Sequence, residues 1–418
     1  MSYVESIKEM GLEAYKKTLY PNQLLAFEKA VAAERPLIIV GEGGSGKSYV
    51  ILGLKAFASK STAFTSTTGA SAVDIEGVTC HSLLSLPREI PNKENMKKIY
   101  SAYRNLFKKN HPVVRIITDE FTMLGPHTID AYFQRIERIS KSCKSKKTVP
   151  ILTGDPLQIG NVLKRFSQEG KLVESQYGTT KLLASDIFRN YGFDVVVLDQ
   201  NKRAEDDPEL QKNQNRIRFG VELDEALEYF NQRVTSKKDM PKDAVYVATT
   251  NKQVEKVNAI IYSRNPNQEW LYHSKTKGRF NMRNTNLPEL LRLKEGLKIM
   301  ILKNDPETDI ETLRNNLLSK DSEIEYYTDD NDELKTREVG SFEQIGAVGA
   351  AGLTANKTQG KTLHKAITDF ESGCFAEGQA YVMLSRCRKL EDIFLVRPLR
   401  KSDVKVCPYA VEFYKEYL

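Results

Sequence analysis

The sequence predicts an α/β fold with two parallel-sheet domains and small inserted subdomains, on three observations. Short apolar runs alternate with helical patterns through most of the chain, the pattern of parallel strands joined by helices. The chain has 418 residues, too many for one ordinary core, so more than one domain is expected. One of the early strands runs directly into a glycine-rich loop and then a helix, the local arrangement that binds phosphate.

Strands are expected at Pro36–Val40, Ala63–Ser66, Val114–Thr118, Pro150–Thr153 and Asp194–Leu198 in the first half. In the second half they are expected at Ala244–Ala248, Leu297–Leu302, Ile345–Gly349, Ala366–Asp369 and Ile393–Val396. The polar run QRVTSKKDMPKD lies near the junction, which places a first domain over residues 1–220 and a second over 221–418. Two segments break the alternation. Residues 87–111 carry Lys97, Lys98, Arg104, Lys108 and Lys109 among Tyr100, Tyr103 and Phe107, whose i, i+3, i+7 spacing predicts a packed helical face with the cations outside. Residues 296–346 include DSEIEYYTDDNDE, with seven acidic residues and no basic one, and this stretch is expected to be a solvated loop turned away from any polyanion. The Lys141–Lys147 run is likewise expected to be a solvated loop.

Composition limits the function classes. With 40% hydrophobic and 28% charged residues, the chain is expected to be globular and not membrane-bound, since no apolar stretch approaches the roughly 20 residues that span a bilayer. The start, MSYVESIKEM, lacks a basic segment followed by an apolar run, so no secretory signal is expected. Five cysteines, Cys80, Cys143, Cys374, Cys387 and Cys407, form no CxxC pair. Free thiols and an intracellular, cytoplasmic setting follow. The net charge of +7 suits a polyanionic partner without requiring one.

The chemistry is carried by motifs. Gly41-Glu-Gly43-Gly44-Ser45-Gly46-Lys47-Ser48 follows a strand and opens a helix, which matches GxxxxGK[ST] in its required context. Its glycines let backbone N–H groups curl around phosphates, Lys47 reaches the β- and γ-phosphates of ATP, and the Ser48 hydroxyl ligates Mg²⁺. Downstream, an apolar strand ends in Asp119-Glu120. Asp119 is expected to hold Mg²⁺ and Glu120 to polarise the attacking water. A third strand ends before Asp155-Pro-Leu-Gln158, where Gln158 can sense the γ-phosphate.

The ordered set of motifs resembles superfamily 1 helicases of the petite-integration-frequency type, with the related RecD-like and Dda-like enzymes, over roughly Leu19 to Val396. Tyr20-Pro-Asn-Gln23 resembles the Q motif, which implies that Gln23 reads adenine. Thr65-Ser-Thr67-Thr68-Gly69 looks like motif Ia, and Thr79-Cys-His81-Ser82 like the block after it. Asn201-Lys-Arg203 followed by Asn215-Arg-Ile-Arg218-Phe-Gly220 resembles motif IV, with Arg203 as a first arginine finger, where the family's Phe-Arg-Gln reads Lys202-Arg203-Ala204. Motif V resembles Leu353-Thr354-Ala-Asn356-Lys357-Thr-Gln359-Gly360, with Asn356 where relatives usually place histidine. Motif VI resembles Gly378-Gln-Ala-Tyr-Val-Met-Leu-Ser-Arg386, with Arg386 as a second finger.

The resemblance implies two RecA-like motor domains, a wedge insert at 87–111 and a reduced SH3-like insert at 296–346. It implies ATP hydrolysis with Mg²⁺, with Gln359 and Gly360 at the nucleotide. It implies movement on single-stranded DNA in the 5′→3′ direction with displacement of the complementary strand at duplex junctions. Thr67, Thr68, His81, Ser82, Thr354, Asn356 and Lys357 would grip the strand. A monomer acting with replication or repair proteins is the expected assembly. The other readings are an RNA-directed or protein-displacing translocase, and a phosphate-loop switch without motor activity.

Overall fold

The computed structural model describes residues 3–87, 89–97, 113–142, 147–161, 163, 166–201, 207–236, 238–280, 282, 287–297, 299–301, 318–328, 334–349 and 351–418. The basic and aromatic residues from Lys98 to Lys109, Cys143, and Arg203 with its neighbours Lys202 and Ala204 lie outside them. So does most of the Lys141–Lys147 run, although Lys141 lies in the last turn of the helix Pro126–Ser142.

Six strands form the first sheet: β1 (Leu37–Gly41), β2 (Thr62–Ser66), β3 (Val78–Thr79), β4 (Arg115–Asp119), β5 (Val149–Gly154) and β6 (Asp194–Leu198). Their spatial order is β3-β2-β4-β5-β1-β6, and every pairing is parallel. β1, β4 and β5 are buried along their whole length, because helices cover both faces of a parallel sheet and leave no polar side. That burial explains why these strands read as unbroken apolar runs.

A second parallel sheet contains β7 (Val245–Ala248), then after the inserted strands β15 (Gly352–Thr354), β16 (Ala366–Asp369) and β17 (Ile393–Leu395). Its spatial order is β15-β7-β16-β17. Two parallel sheets, each with its own core, match the expected fold class.

The boundary between the two cores differs from the expected one at residue 220. Leu210 and Ile217, on the helix Pro208–Phe219, are buried in the second core with Phe230, Val247 and Met383. The last helix, Pro408–Tyr417, returns to the first core, where Ala410 and Tyr414 pack with Phe121, Tyr132 and Phe188. An amphipathic helix shows in sequence that one face is buried, not which core buries it.

The insert in the second half is larger than expected, and it begins at Glu269. β8 (Glu269–His273) pairs antiparallel with β10 (Leu290–Lys294). β9 (Lys275–Gly278), β12 (Leu318–Thr328) and β13 (Leu334–Ile345) form a three-stranded antiparallel sheet. β11 (Ile299–Ile301) pairs antiparallel with β14 (Ala347–Gly349), so the strand expected at 297–302 lies in the insert, where the resemblance places it, and the one expected at 345–349 joins it there. The acidic run is also corrected: Asp321–Thr328 is strand, not loop. Its partner strand sets Arg337 opposite Glu325 and Lys335 opposite Tyr327. The pairing of this segment with a distant strand is invisible when the acidic run is read alone.

Candidate nucleotide site between the two sheets

β1 delivers the phosphate loop to the N-terminus of the helix Lys47–Ala58. Gly46 caps that helix at φ 86°, and a Cβ there would come 2.4 Å from Gln23 Nε2. Only glycine meets both demands. The Lys47 ammonium donates to the carbonyls of Gly41 (2.8 Å) and Glu42 (2.9 Å). Burial lowers its pKa, while the carboxylates of Asp155, Glu120 and Asp119 act in the opposite direction. Gln23 is buried against the loop, donating to the Ser45 carbonyl at 2.8 Å and accepting from the Tyr20 amide at 3.1 Å. An amide used in this way keeps one further N–H for a ligand.

β4 ends at Asp119, and Glu120 follows in the left-handed region at φ 55°. Both carboxylates are buried. Thr153, at the end of β5, donates its hydroxyl to Asp119 Oδ1. Burial raises the Asp119 pKa. Glu120 is pushed up to about 7, by burial first and by the Asp119 charge second, with Lys47 and the Gln359 amide opposing. A carboxylate poised near neutrality suits a general base.

The residues present fit a magnesium nucleotide. Ser45 Oγ, Gln158 Oε1 and Gln359 Oε1 are buried without a hydrogen-bond partner, and buried polar groups in that condition need a ligand or water to satisfy them. Ser48, in the first turn of the loop helix, and Asp119 supply hard oxygen donors of the kind Mg²⁺ takes alongside phosphate.

The second domain closes over this site. Gln359 donates to Glu120 Oε2 at 3.2 Å, and a Cβ on Gly360 would lie 3.7 Å from the same carboxylate. The Gly43 amide donates to the Tyr381 hydroxyl at 3.3 Å. Gly378, at φ 74°, lies against the loop after β5: a Cβ there would meet the Leu157 carbonyl oxygen and the Gln158 carbonyl carbon, each at 2.6 Å. Gln158 itself is buried, with its amide 3.4 Å from Asp155 Oδ2.

Arg386 stands differently from its expected place at the phosphates. It is 1% exposed, with Nε on the Val382 carbonyl (2.7 Å), Nη1 on the Thr358 and Lys361 carbonyls (both 3.2 Å) and Nη2 on Ser385 Oγ (2.6 Å). A guanidinium with five donors in a planar fork suits such a cluster of carbonyls. Here it holds the backbone on either side of Gln359.

The expected strand-gripping residues divide between the two domains. The Thr67 hydroxyl donates to the Glu120 carbonyl at 3.0 Å, and Thr68 Oγ1 accepts from the Ser71 amide at 3.2 Å. His81 is half-buried and Ser82 exposed, on a short helix capped by Thr79. His81 lies near enough to His127 to help burial hold the latter's pKa down to about 4. Thr354 is buried, Asn356 exposed and Lys357 half-buried, with the Lys357 pKa lowered by burial. Sequence reasoning passed over Thr153, Tyr381 and Arg218. Tyr381 and Arg218 stood inside quoted motifs, yet an aromatic or a lone arginine there reads as ordinary core or surface.

Residues 19–223 match the model of the PIF1-like helicase family. Over 96% of this chain and 92% of its own length, the ATP-dependent DNA helicase Pif1 of Bdellovibrio bacteriovorus is 24% identical. The chain is similar to PIF1-type helicases of superfamily 1. The fold of this PIF1-like chain agrees across its length with the crystal structure of Bacteroides Pif1 bound to single-stranded DNA. That likeness has a TM-score of 0.77 at 24% identity, covering 95% of this chain and 96% of that one. Pif1 from Candida albicans has a TM-score of 0.71 at 21% identity, covering 95% and 98%. In this PIF1-like chain the two parallel sheets are therefore the two RecA-like domains.

Proposed function

We propose that this chain is an ATP-dependent DNA helicase that moves 5′→3′ on single-stranded DNA and displaces the complementary strand. The observation that carries the proposal is the contact from Gln359 of the second domain to Glu120 of the first. A phosphate-loop switch needs one nucleotide domain; a motor needs its hydrolytic carboxylate to register where a second domain sits. The relatives agree in kind, being named ATP-dependent DNA helicases. A Bacteroides Pif1 structure holds both ADP-AlF3 and single-stranded DNA.

In this reading Gln23 reads adenine, and the phosphate-loop amides from Gly43 to Lys47 cradle the phosphates. Lys47 leaves the Gly41 and Glu42 carbonyls for the γ-phosphate. Ser48 and Asp119 would hold Mg²⁺, which would supply positive charge to the phosphates. Glu120, near neutrality in pKa, takes the proton of the attacking water, and Gln158 orients that water. Arg203 and Arg386 neutralise charge on the transferring phosphoryl group, with Arg386 swinging off the Thr358 and Lys361 carbonyls as the domains close. Thr67, Thr68, His81 and Ser82 hold the strand from the first domain, and Thr354, Asn356 and Lys357 from the second. The Thr67 hydroxyl on the Glu120 carbonyl ties strand contact to the hydrolytic residue directly. The protein works inside the cell as a monomer, with replication or repair proteins as its partners.

Strand displacement on duplexes with either a 5′ or a 3′ single-stranded tail tests this, with Glu120→Gln as the inactive control. ATP-dependent displacement from the 5′ tail alone is the expected result. Displacement from the 3′ tail alone reverses the polarity, and an ATPase indifferent to every polynucleotide removes the motor reading.

A further inference from the structure

The helix Pro208–Phe219 is built into the second domain. Leu210 and Ile217 lie in that core. At its start, the Asp207 carboxylate accepts from the Leu210 amide at 2.9 Å and from the Leu390 amide of the second domain at 3.1 Å. Gln211, Gln214 and Arg218 follow an i, i+3, i+7 spacing, which lines one face of a helix. Each reaches a different part of the ATP site. Gln211 donates to the Glu42 carboxylate in the phosphate loop. Gln214 donates at 2.9 Å to the Leu384 carbonyl, two residues before Arg386. Arg218 grips Asp155 with two prongs, Nη2 at 2.8 Å and Nε at 3.3 Å.

The last contact is costly unless it is complete. Asp155 is fully buried and Arg218 is 6% exposed, and two charges withdrawn from water are tolerated only when their hydrogen-bonding positions are filled. They are filled here. Asp155 also accepts from the Leu157 amide (3.1 Å), the Gln158 amide (3.4 Å) and the Tyr414 hydroxyl (3.1 Å). The Arg218 guanidinium lies 4.5 Å from the ring centre of Tyr414 and 5.8 Å from that of Tyr381. Tyr414 belongs to the first core and Tyr381 to the second, so the guanidinium sits where the two domains meet. Gln158 is thus held at Nε2 by a carboxylate that Arg218 holds, which leaves its unpartnered Oε1 for water or nucleotide.

We propose that Arg218 is a positioning residue: through Asp155 it sets the Gln158 side chain, and through the helix Pro208–Phe219 it makes that setting depend on the position of the second domain. The helix is then the lever that links nucleotide state to domain closure, with Gln211 and Gln214 as its contacts to the phosphate loop and to the segment bearing Arg386. This inference rests on the ATPase reading above.

The test measures ATP hydrolysis by the full chain with and without a poly(dT) oligonucleotide, and nucleotide affinity by titration with fluorescent mant-ADP. Arg218→Gln is expected to lower the DNA-stimulated kcat about 10-fold or more, the scale of a misplaced catalytic group. Its mant-ADP affinity should stay within about threefold of the parent, a split that marks positioning in the transition state. Arg218→Lys should recover only part of the rate, because lysine keeps the charge but loses the two-pronged geometry and the stacking. Gln211→Ala and Gln214→Ala, at half-buried positions, should lower the stimulated rate in the same sense, and they decide the matter if Arg218→Gln does not fold. The proposal is overturned by a folded Arg218→Gln with parental stimulated kcat, or by one whose nucleotide affinity falls in step with kcat. It is equally overturned if both glutamine variants keep the full stimulated rate. Failure of the underlying ATPase reading looks different: the parent chain itself would show no DNA-stimulated hydrolysis.

Discussion

Gln359 in the second domain donates its amide to the Glu120 carboxylate in the first at 3.2 Å, so a carboxylate at the end of β4 answers to a side chain from the other sheet. Both groups are buried, and in a low-dielectric site a single hydrogen bond alters protonation as well as position.

The pH dependence of hydrolysis should reflect this contact. With Glu120 pushed up to about 7 and the base form required for catalysis, kcat/KM should rise through neutrality on its acid limb. Gln359→Ala removes an influence that lowers the Glu120 pKa, so the limb should move to higher pH. Rate profiles with saturating single-stranded DNA measure this, and an unmoved limb would show that the contact has no electrostatic role.

Stability should vary with pH for the same reason. The folded pKa of Glu120 lies above its unfolded value of about 4.3. The fold therefore favours the protonated form, and stability is lost as pH rises from the unfolded pKa through about 7. Glu120→Gln should be near neutral for stability at pH 4–5 and stabilising at pH 8, by up to about 3 kcal/mol. The same variant should lose about 10²-fold or more in hydrolysis. Thermal melts at both pH values, beside ATPase assays, check the pair of outcomes; equal melting shifts at the two pH values would contradict the linkage.

Arg386→Ala should fail in two ways. Loss of the finger should leave ATP binding while hydrolysis falls by about 10²-fold or more. Removing the buried guanidinium also removes its hydrogen bonds to the Val382, Thr358 and Lys361 carbonyls, costing about 1–3 kcal/mol of stability. A variant with reduced hydrolysis and an unchanged melting temperature would place Arg386 elsewhere in the unliganded protein.

Gly378→Ala should uncouple the two domains without touching a polar group. The alanine must adopt φ 74° and place its Cβ 2.6 Å from the Leu157 carbonyl oxygen. The backbone strain alone costs about 1–2 kcal/mol, and the contact forces the segment bearing Arg386 away from Gln158. Expected are a lower melting temperature and a kcat depressed beyond any change in KM. Parental kinetics would mean that the close approach does not survive in solution.

Lys47→Ala should abolish turnover while leaving single-stranded DNA binding without nucleotide intact. Fluorescence anisotropy with a labelled oligonucleotide and a phosphate-release assay separate the two. Normal turnover by a folded variant would overturn the assignment of the phosphate loop.

The amino-acid sequence by itself determined what short-range chemistry can specify. The phosphate loop depends on the order of glycines, lysine and serine between one strand and one helix, and the buried strands β1, β4 and β5 announce themselves as apolar runs because both faces are covered. The Asp119-Glu120 pair was legible because it ends such a strand. Tertiary structure decided whatever depends on which surfaces meet. The helix Pro208–Phe219 shows an amphipathic face in sequence, but only packing assigned that face to the second core and sent Arg218 to Asp155, 63 residues away. The run from Asp321, read alone as a solvated loop, is a strand because β13 pairs with it along its length. Arg386 carries the same guanidinium wherever it points. Its place on the Thr358 and Lys361 carbonyls follows from the fold bringing backbone acceptors within reach of a buried donor, and no local pattern encodes that encounter.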